Sequence, residues 1–294
     1  MRSLLFVPAD SPKKLEKALT SGADALIVDL EDSIALDGKK QARDSAAAFL
    51  HEALCAARRP IILVRVNGLR TGLIDDDLDA VVPAQPDGIM LPKAEGGASV
   101  VHTDAKLAVR EARRGLPDGH IKILALATET ATALFLAGTF AGASARLFGL
   151  TWGAEDLSAE LGAQANRDAD GRFLDPYRLA RSLCLVGAAA AQVPAIDTVY
   201  VDYRNATGFR GECEEACRDG FVGKLAIHPA QVPIINEVFT PSADALARAK
   251  AIIEAFAASP GAGVVGIDGV MYDRPHLARA QRLLSQAQLE GFPR

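Results

Sequence analysis

Aromatic residues are scarce in this chain, 5% of 294, and tryptophan occurs once. That scarcity argues against an aromatic-rich sandwich and for closely packed, alanine-rich helices. Four cysteines, Cys55, Cys184, Cys213 and Cys217, are too few and too scattered to staple a fold of this length. Cys213 and Cys217 stand four apart, half of a metal-ligand spacing, but no second Cys or His pair matches them, so zinc is not expected. There is no apolar run of the ~20 residues that a membrane helix needs. Nor is there a charged segment followed by a long apolar stretch, because Ser3-Leu-Leu-Phe-Val-Pro8 reads as a strand at once. No membrane partner is therefore expected, and the expected compartment is reducing cytoplasm. Positive charge is not in excess either. A formal net charge of −5 without a basic stripe argues against nucleic acid as a partner, while leaving room for a local basic pocket around an anionic cofactor.

The chain does have abundant apolar sequence: 49% of residues are hydrophobic, enough for a sizeable core. Short apolar runs recur at 3–8, 25–31, 61–67, 88–93, 122–130, 145–152, 195–202 and 222–228, separated by alanine-rich amphipathic stretches such as 10–21 and 39–57. Continuous Val/Ile/Leu runs are expected of parallel strands covered on both faces. Eight such repeats within residues 1–240 predict an α/β fold, a (β/α)8 TIM barrel, whose usual length is about 250 residues. The rival, an open doubly wound sheet, would carry a glycine-rich phosphate loop after its first strand. Here that strand ends in Pro8-Ala9-Asp10. Residues 241–294 read as a separate small C-terminal helical lid or arm: a helix over 242–258, the break Pro260-Gly-Ala-Gly263, an extended piece over 264–273, and a last helix from about 275.

In such a barrel, chemistry gathers at the C-terminal ends of the strands. Strand two ends Asp29-Leu-Glu31-Asp32, strand three carries Arg65 and Asn67, and strand four ends in Lys93. Strand five ends in Glu129, strand six runs into Glu155-Asp156, strand seven carries Asp202 and strand eight ends in His228. Each alone could be a solvated strand end, but charged or imidazole groups on seven of eight strands converge on one rim. Many carboxylates with few Cys or His point to a hard cation held by oxygens, Mg2+ or in its place Mn2+. Glu129 and Asp156, on successive strands, are the candidate ligands. Glu31 and Asp32, with Lys93 and Glu155, are expected around them, holding partners and waters, with helix capping and rim pairing as the plainer role. Arg65 lies between apolar neighbours, so its guanidinium must leave the core toward an anion. That anion is either a substrate carboxylate or oxyanion, or a carboxylate of the chain such as Glu31 or Asp32.

These residues fall within longer blocks: Phe6-Val-Pro8, Asp29-Leu-Glu-Asp-Ser-Ile-Ala-Leu-Asp-Gly-Lys-Lys-Gln-Ala-Arg43 and Arg65-Val-Asn-Gly68, then Leu91-Pro-Lys93, Glu129-Thr-Ala131, Gly153-Ala-Glu-Asp-Leu157 and Gly223-Lys-Leu-Ala-Ile-His-Pro-Ala-Gln231. In that order, over nearly the whole chain, they resemble the citrate lyase β-subunit/malyl-CoA lyase family of the HpcH/HpaI aldolase superfamily. The resemblance implies Mg2+ on Glu129 and Asp156, chelated by an α-keto acid such as glyoxylate or pyruvate, with Arg65 on the substrate oxygens. It implies that Phe6, Lys17, Ile227 and His228 line the coenzyme A or substrate end, with Lys17 placed for a phosphate. Gly269-Val-Met-Tyr-Asp273 resembles the family's Met-x-Asp lid, whose Asp is the acid/base and comes from a neighbouring subunit of a homotrimer or hexamer. Ser11 departs from the family, where arginine is frequent.

The expected activity is that of a carbon–carbon lyase. It would cleave or form a 3-hydroxyacyl-CoA such as malyl-CoA or citramalyl-CoA, with Arg65 and Asp273 as catalytic residues. The rivals are a citrate lyase β-subunit acting on an acyl-carrier-protein thioester, a malyl-CoA thioesterase, and a non-catalytic CoA-binding assembly subunit. The first is set against the lid Asp273, the second turns on products, and the third would be favoured by loss of Glu129, Asp156 or Arg65, all of which are present.

Overall fold

A computed structural model describes residues 1–53, 55–56 and 59–288. Eight parallel strands form one sheet: β1 Ser3–Pro8, β2 Ala25–Asp29, β3 Ile61–Arg65, β4 Gly88–Leu91, β5 Lys122–Leu126, β6 Leu147–Thr151, β7 Ile196–Asp197 and β8 Gly223–Ala226. Their order is β6-β5-β4-β3-β2-β1-β8-β7. The ends meet through the parallel bridge Leu150–Ala195 and a 3.0 Å bond from the Leu150 N–H to the Pro194 carbonyl. The sheet thus nearly closes on itself into a (β/α)8 barrel.

Alternation along each strand explains two concentric cores. Leu5, Val7, Leu26, Val28, Ile62 and Val64 face outward and pack under the helices. Leu4, Ile27, Leu63, Met90, Leu124 and Leu225 face inward and fill the barrel. All five residues of β2 are buried, as its unbroken apolar run requires. The outer ring comprises α1 Pro12–Ala18, α2 Lys39–Ala53, α3 Ile74–Val81, α4 Gly97–Arg114, α5 Ala131–Leu136, α6 Ala154–Leu161, α7 Asp175–Ala191, α8 Ala206–Asp219 and α9 Val232–Val238.

Each strand from β2 onward stops short of its apolar run, by one residue or more, and the difference has one cause. The last residues of each run leave the ladder to form the rim: β2 stops at Asp29 rather than 31, β3 at Arg65 rather than 67, β4 at Leu91 rather than 93 and β5 at Leu126 rather than 130. β6 and β8 lose a residue or two at both ends. β7 is shortest, two residues where the run 195–202 predicted eight, because the chain leaves the ladder after Asp197 and is exposed from Val201 to Arg204. The helix expected over 10–21 is trimmed to α1, where Pro12 sets the first turn. Of the helix expected over 39–57, α2 covers Lys39–Ala53, and positions 54 and 57 lie outside the described residues.

Beyond α9, helix α10 Ala243–Ala258, a hairpin of β9 Val264–Ile267 and β10 Val270–Asp273, and α11 Arg274–Gln288 share a small core of their own around Ile252, Phe256, Val265 and Tyr272. The hairpin turn has left-handed backbone at both Asp268 and Gly269, the geometry that a two-residue Asp-Gly turn favours. Positions 289–294 of the expected C-terminal arm lie outside the described residues.

Candidate active site

Strand register builds the site. Asp29 and Arg65 are direct partners in the β2–β3 ladder, and both continue the inward parity of their strands. The guanidinium therefore meets that carboxylate as a fork: Nε donates to Asp29 Oδ1 and Nη2 to Oδ2, both at 2.7 Å. Nη1 stands 3.0 Å from Glu31 Oε2, and the group lies over the Phe6 ring, 4.8 Å from its centroid. Both expected chain partners are present, Glu31 the nearer and Asp32 at 3.7 Å. The principal partner, Asp29, was not anticipated. Burial opposes ionisation of Asp29, but the Arg65 fork overrides it and holds the carboxyl below its ordinary value.

The long Asp29–Arg43 block proves to be the scaffold of this rim. Lys39 is buried and donates to the carbonyls of Leu30 and Glu31 at 2.8 and 2.7 Å. Arg43 holds Asp77, which in turn accepts from the Asn67 backbone N–H and side chain, both at 2.7 Å. Asn67 thus braces the loops from beneath rather than facing ligand.

Lys93 adopts left-handed backbone, φ 51, uncommon for a residue with a side chain. Its N–H donates to Glu129 Oε2 at 2.6 Å, while its ammonium reaches Glu31 Oε1 at 2.7 Å and Asp156 Oδ1 at 3.1 Å. Glu129 is buried, and Asp156 sits in the first turn of α6. Gly153 precedes that helix because a Cβ there would stand 2.9 Å from Glu129 Cγ and Oε1. Burial raises the Glu129 carboxyl well above its ordinary value, reinforced by Asp156 and Glu31. Burial likewise pushes Glu31 up to about 7, against the pull of Arg65 and Lys93.

A cavity of about 330 Å3 opens over these groups, lined by Phe6, Asp29, Asp32, Arg65, Glu129, Glu155, Asp156 and Ile227 among others. A second, of about 410 Å3, lies on the far side of Glu129 and Asp156, walled by Arg70, Lys93, Glu95 and Thr130. Trp152, missed in the sequence, walls the first cavity while donating to Asp197 at 2.7 Å. Asp197 in turn takes 2.6 Å from the buried Lys224. Five carboxylates, Asp29, Glu31, Asp32, Glu129 and Asp156, face Arg65 and Lys93, with Lys39 behind. This surplus of negative charge, with two carboxylates flanking both cavities, fits a divalent cation with oxygen ligands. Among the described residues no three ligand side chains converge, which leaves the other positions of an octahedron to water and ligand oxygens.

The remaining expected residues lie apart from this cavity. Lys17 is exposed on α1 and does not line it, and Ser11 stands at the N-cap of that helix. His228 stacks on Tyr203 at 4.6 Å, and its Nδ1 accepts from the Ala230 N–H. Asp202, expected on the rim, lies in the exposed turn after β7. Cys213 and Cys217 share α8, one buried and one exposed. Asp273 does not line the cavity of its own chain. It pairs with His276 Nδ1 and accepts weakly from the His276 N–H at 3.4 Å, capping α11, and that bond holds its carboxyl below the ordinary value.

The HpcH/HpaI aldolase/citrate lyase family profile matches residues 2–229. The chain belongs to that family. It is 34% identical over 290 residues to the citrate lyase subunit beta of Leuconostoc mesenteroides, covering 97% of this chain and 93% of the relative. It is 37% identical over 293 residues to a (3S)-malyl-CoA thioesterase of Cereibacter sphaeroides, covering 98% and 94%. Among solved structures, Mycobacterium tuberculosis CitE in complex with magnesium, acetoacetate and coenzyme A superposes with a TM-score of 0.77 at 34% identity, covering 98% of both chains. Among the described residues, no helix is long and apolar enough to cross a membrane.

Proposed function

We propose that this chain is a Mg2+-dependent carbon–carbon lyase that cleaves, or in reverse forms, a 3-hydroxyacyl thioester of coenzyme A. The observation that carries this reading is the meeting of Glu129 and Asp156 beside the Arg65 fork at the mouth of one barrel cavity. Glu129 and Asp156 would hold the cation, and the magnesium and keto-acid complexes of the relatives support that assignment. When bound, the cation polarises the oxygens of the α-keto acid portion. Arg65, oriented by Asp29, presents its guanidinium to the carboxylate and hydroxyl oxygens of the substrate. The hydroxyl gives its proton to water and becomes a keto oxygen, and the C–C electron pair passes to the thioester as an enolate. Asp273 of a neighbouring subunit, carried on the lid of residues 241–294, takes up that proton and delivers it to the enolate carbon. That Asp273 lies off its own chain's cavity supports supply in trans within a homotrimer or hexamer. Phe6 and Ile227, which line the cavity, would face the thioester, and Lys17 and His228 would meet the coenzyme A end.

The lid Asp favours a free coenzyme A thioester over a carrier-protein one. Cleavage and hydrolysis are both represented among the relatives, so products decide between them. The test is mass spectrometry of malyl-, β-methylmalyl-, citramalyl- and citryl-CoA incubated with the protein, with Mg2+ or with EDTA. A keto acid plus a shorter acyl-CoA, formed only with Mg2+, is expected from one of them. Asp273→Asn should abolish this turnover while binding Mg2+ as before, and retained activity would remove Asp273 from the mechanism.

A further inference from the structure

Lys93 grips both carboxylates of the cation site: its backbone N–H holds Glu129 at 2.6 Å and its ammonium meets Asp156 at 3.1 Å. The left-handed backbone makes this possible, because it turns the N–H toward β5 while the side chain passes over the rim to α6. The same ammonium stands 2.7 Å from Glu31 and 3.5 Å from Asp32, so it serves three carboxylates at once. The side chain is one-third exposed. A divalent ion shared by Glu129 and Asp156 must come close to this ammonium. Charges of like sign at that separation, in a partly buried site, are poorly screened.

We propose that Lys93 is a tethered counter-ion that competes with the divalent cation for Asp156, so that the cation enters together with an anionic keto acid rather than ahead of it. This rests on Glu129 and Asp156 being the cation ligands. One effect gives it a definite sign. Removing the ammonium removes its repulsion of the incoming cation, which tightens the binding of the bare ion. A keto acid contributes a negative charge that offsets Lys93, so in the native protein the cation and the keto acid strengthen each other's binding by the same factor. If Lys93 were instead a brace that shapes the carboxylate pair, its loss would weaken the cation.

The experiment is calorimetric titration of Mg2+ into the full chain, with and without pyruvate, for the native protein, Lys93→Met, Lys93→Arg and Glu129→Gln. Circular dichroism would check the fold of each. In the native protein, pyruvate should tighten Mg2+ about tenfold, within the usual range of coupling between sites. Lys93→Met should bind Mg2+ about tenfold tighter without pyruvate, and should lose most of the pyruvate effect. Lys93→Arg, which keeps the charge, should behave as the native protein does. Equal or weaker Mg2+ binding by Lys93→Met overturns the proposal, as does a native protein in which pyruvate leaves Mg2+ affinity unchanged, a result that needs no variant to fold. If Glu129→Gln binds Mg2+ as well as the native chain, the cation site lies elsewhere and the competition falls with it; Glu129-dependent binding without the Lys93 effect sinks the competition alone.

Discussion

Arg65 shows how much one side chain of this site depends on its shape. Two of its nitrogens are spent on Asp29, in a fork that lysine cannot reproduce with a single ammonium. Arg65→Lys keeps the charge but loses the fork and the stacking on Phe6, and kcat should fall about 100-fold, the effect of losing one preorganised oxyanion donor. Steady-state cleavage of the preferred thioester measures this, and a loss below about tenfold would show that charge alone suffices. Gly153 makes the complementary point, since its contribution is an absent atom. A methyl group at that position would meet Glu129 Cγ at 2.9 Å against a carboxylate already held by Lys93. Gly153→Ala should therefore weaken Mg2+ binding, read by calorimetry, while far-ultraviolet circular dichroism stays native.

At the scale of elements, β7 and β8 are tied together by charge more than by backbone. β7 contributes two residues, yet Asp197 on it accepts from Lys224 of β8 and from the Trp152 indole beyond β6. Burial opposes ionisation of Asp197, but Lys224 and Arg181 override it, so its folded pKa lies below the ordinary value. A depressed carboxylate stabilises the fold fully above its unfolded pKa of about 4. That contribution is lost as pH falls through the lower folded value. Asp197→Asn leaves Lys224 with Glu212 alone and should cost about 3 kcal/mol near neutral pH. Urea unfolding followed by Trp152 emission measures that cost. The same variant should lose stability less steeply than the native chain below about pH 4, and an unchanged acid limb would place the linkage on other carboxylates.

The whole molecule carries its proposed acid on a unit with its own small core, away from its own cavity. If Asp273 acts in trans, a chain lacking Glu129 and a chain lacking Asp273 are each inactive alone but complement each other. Mixing Glu129→Gln and Asp273→Asn chains under conditions that exchange subunits should restore a measurable fraction of native turnover. Activity that stays at the level of the separate variants after confirmed exchange would place Asp273 and Glu129 in the same chain's site. Size-exclusion chromatography with light scattering, run alongside, reads whether the assembly is a trimer or a hexamer.

Period and run length alone determined the barrel. Eight apolar runs between alanine-rich stretches fit parallel strands covered on both faces, and charged or imidazole groups on seven of the eight strands marked the rim as the expected place of chemistry. Glu129, Asp156, Arg65, Glu31 and Lys93 were all legible in that way, as charges at the ends of apolar runs. The partner of Arg65 was not, because Asp29 meets it only through the register of two strands 36 positions apart. Nor was the double grip of Lys93, which requires a backbone conformation that no residue type announces, or the place of Gly153, whose missing Cβ matters only against Glu129. Where Asn67 and Asp202 would point was likewise not legible: one turns inward to brace the rim loops, and the other stands in the exposed turn after β7. The end of an apolar run marks where a strand can stop, but only inter-strand pairing and loop bracing decide where it does, and so which way the next side chain points.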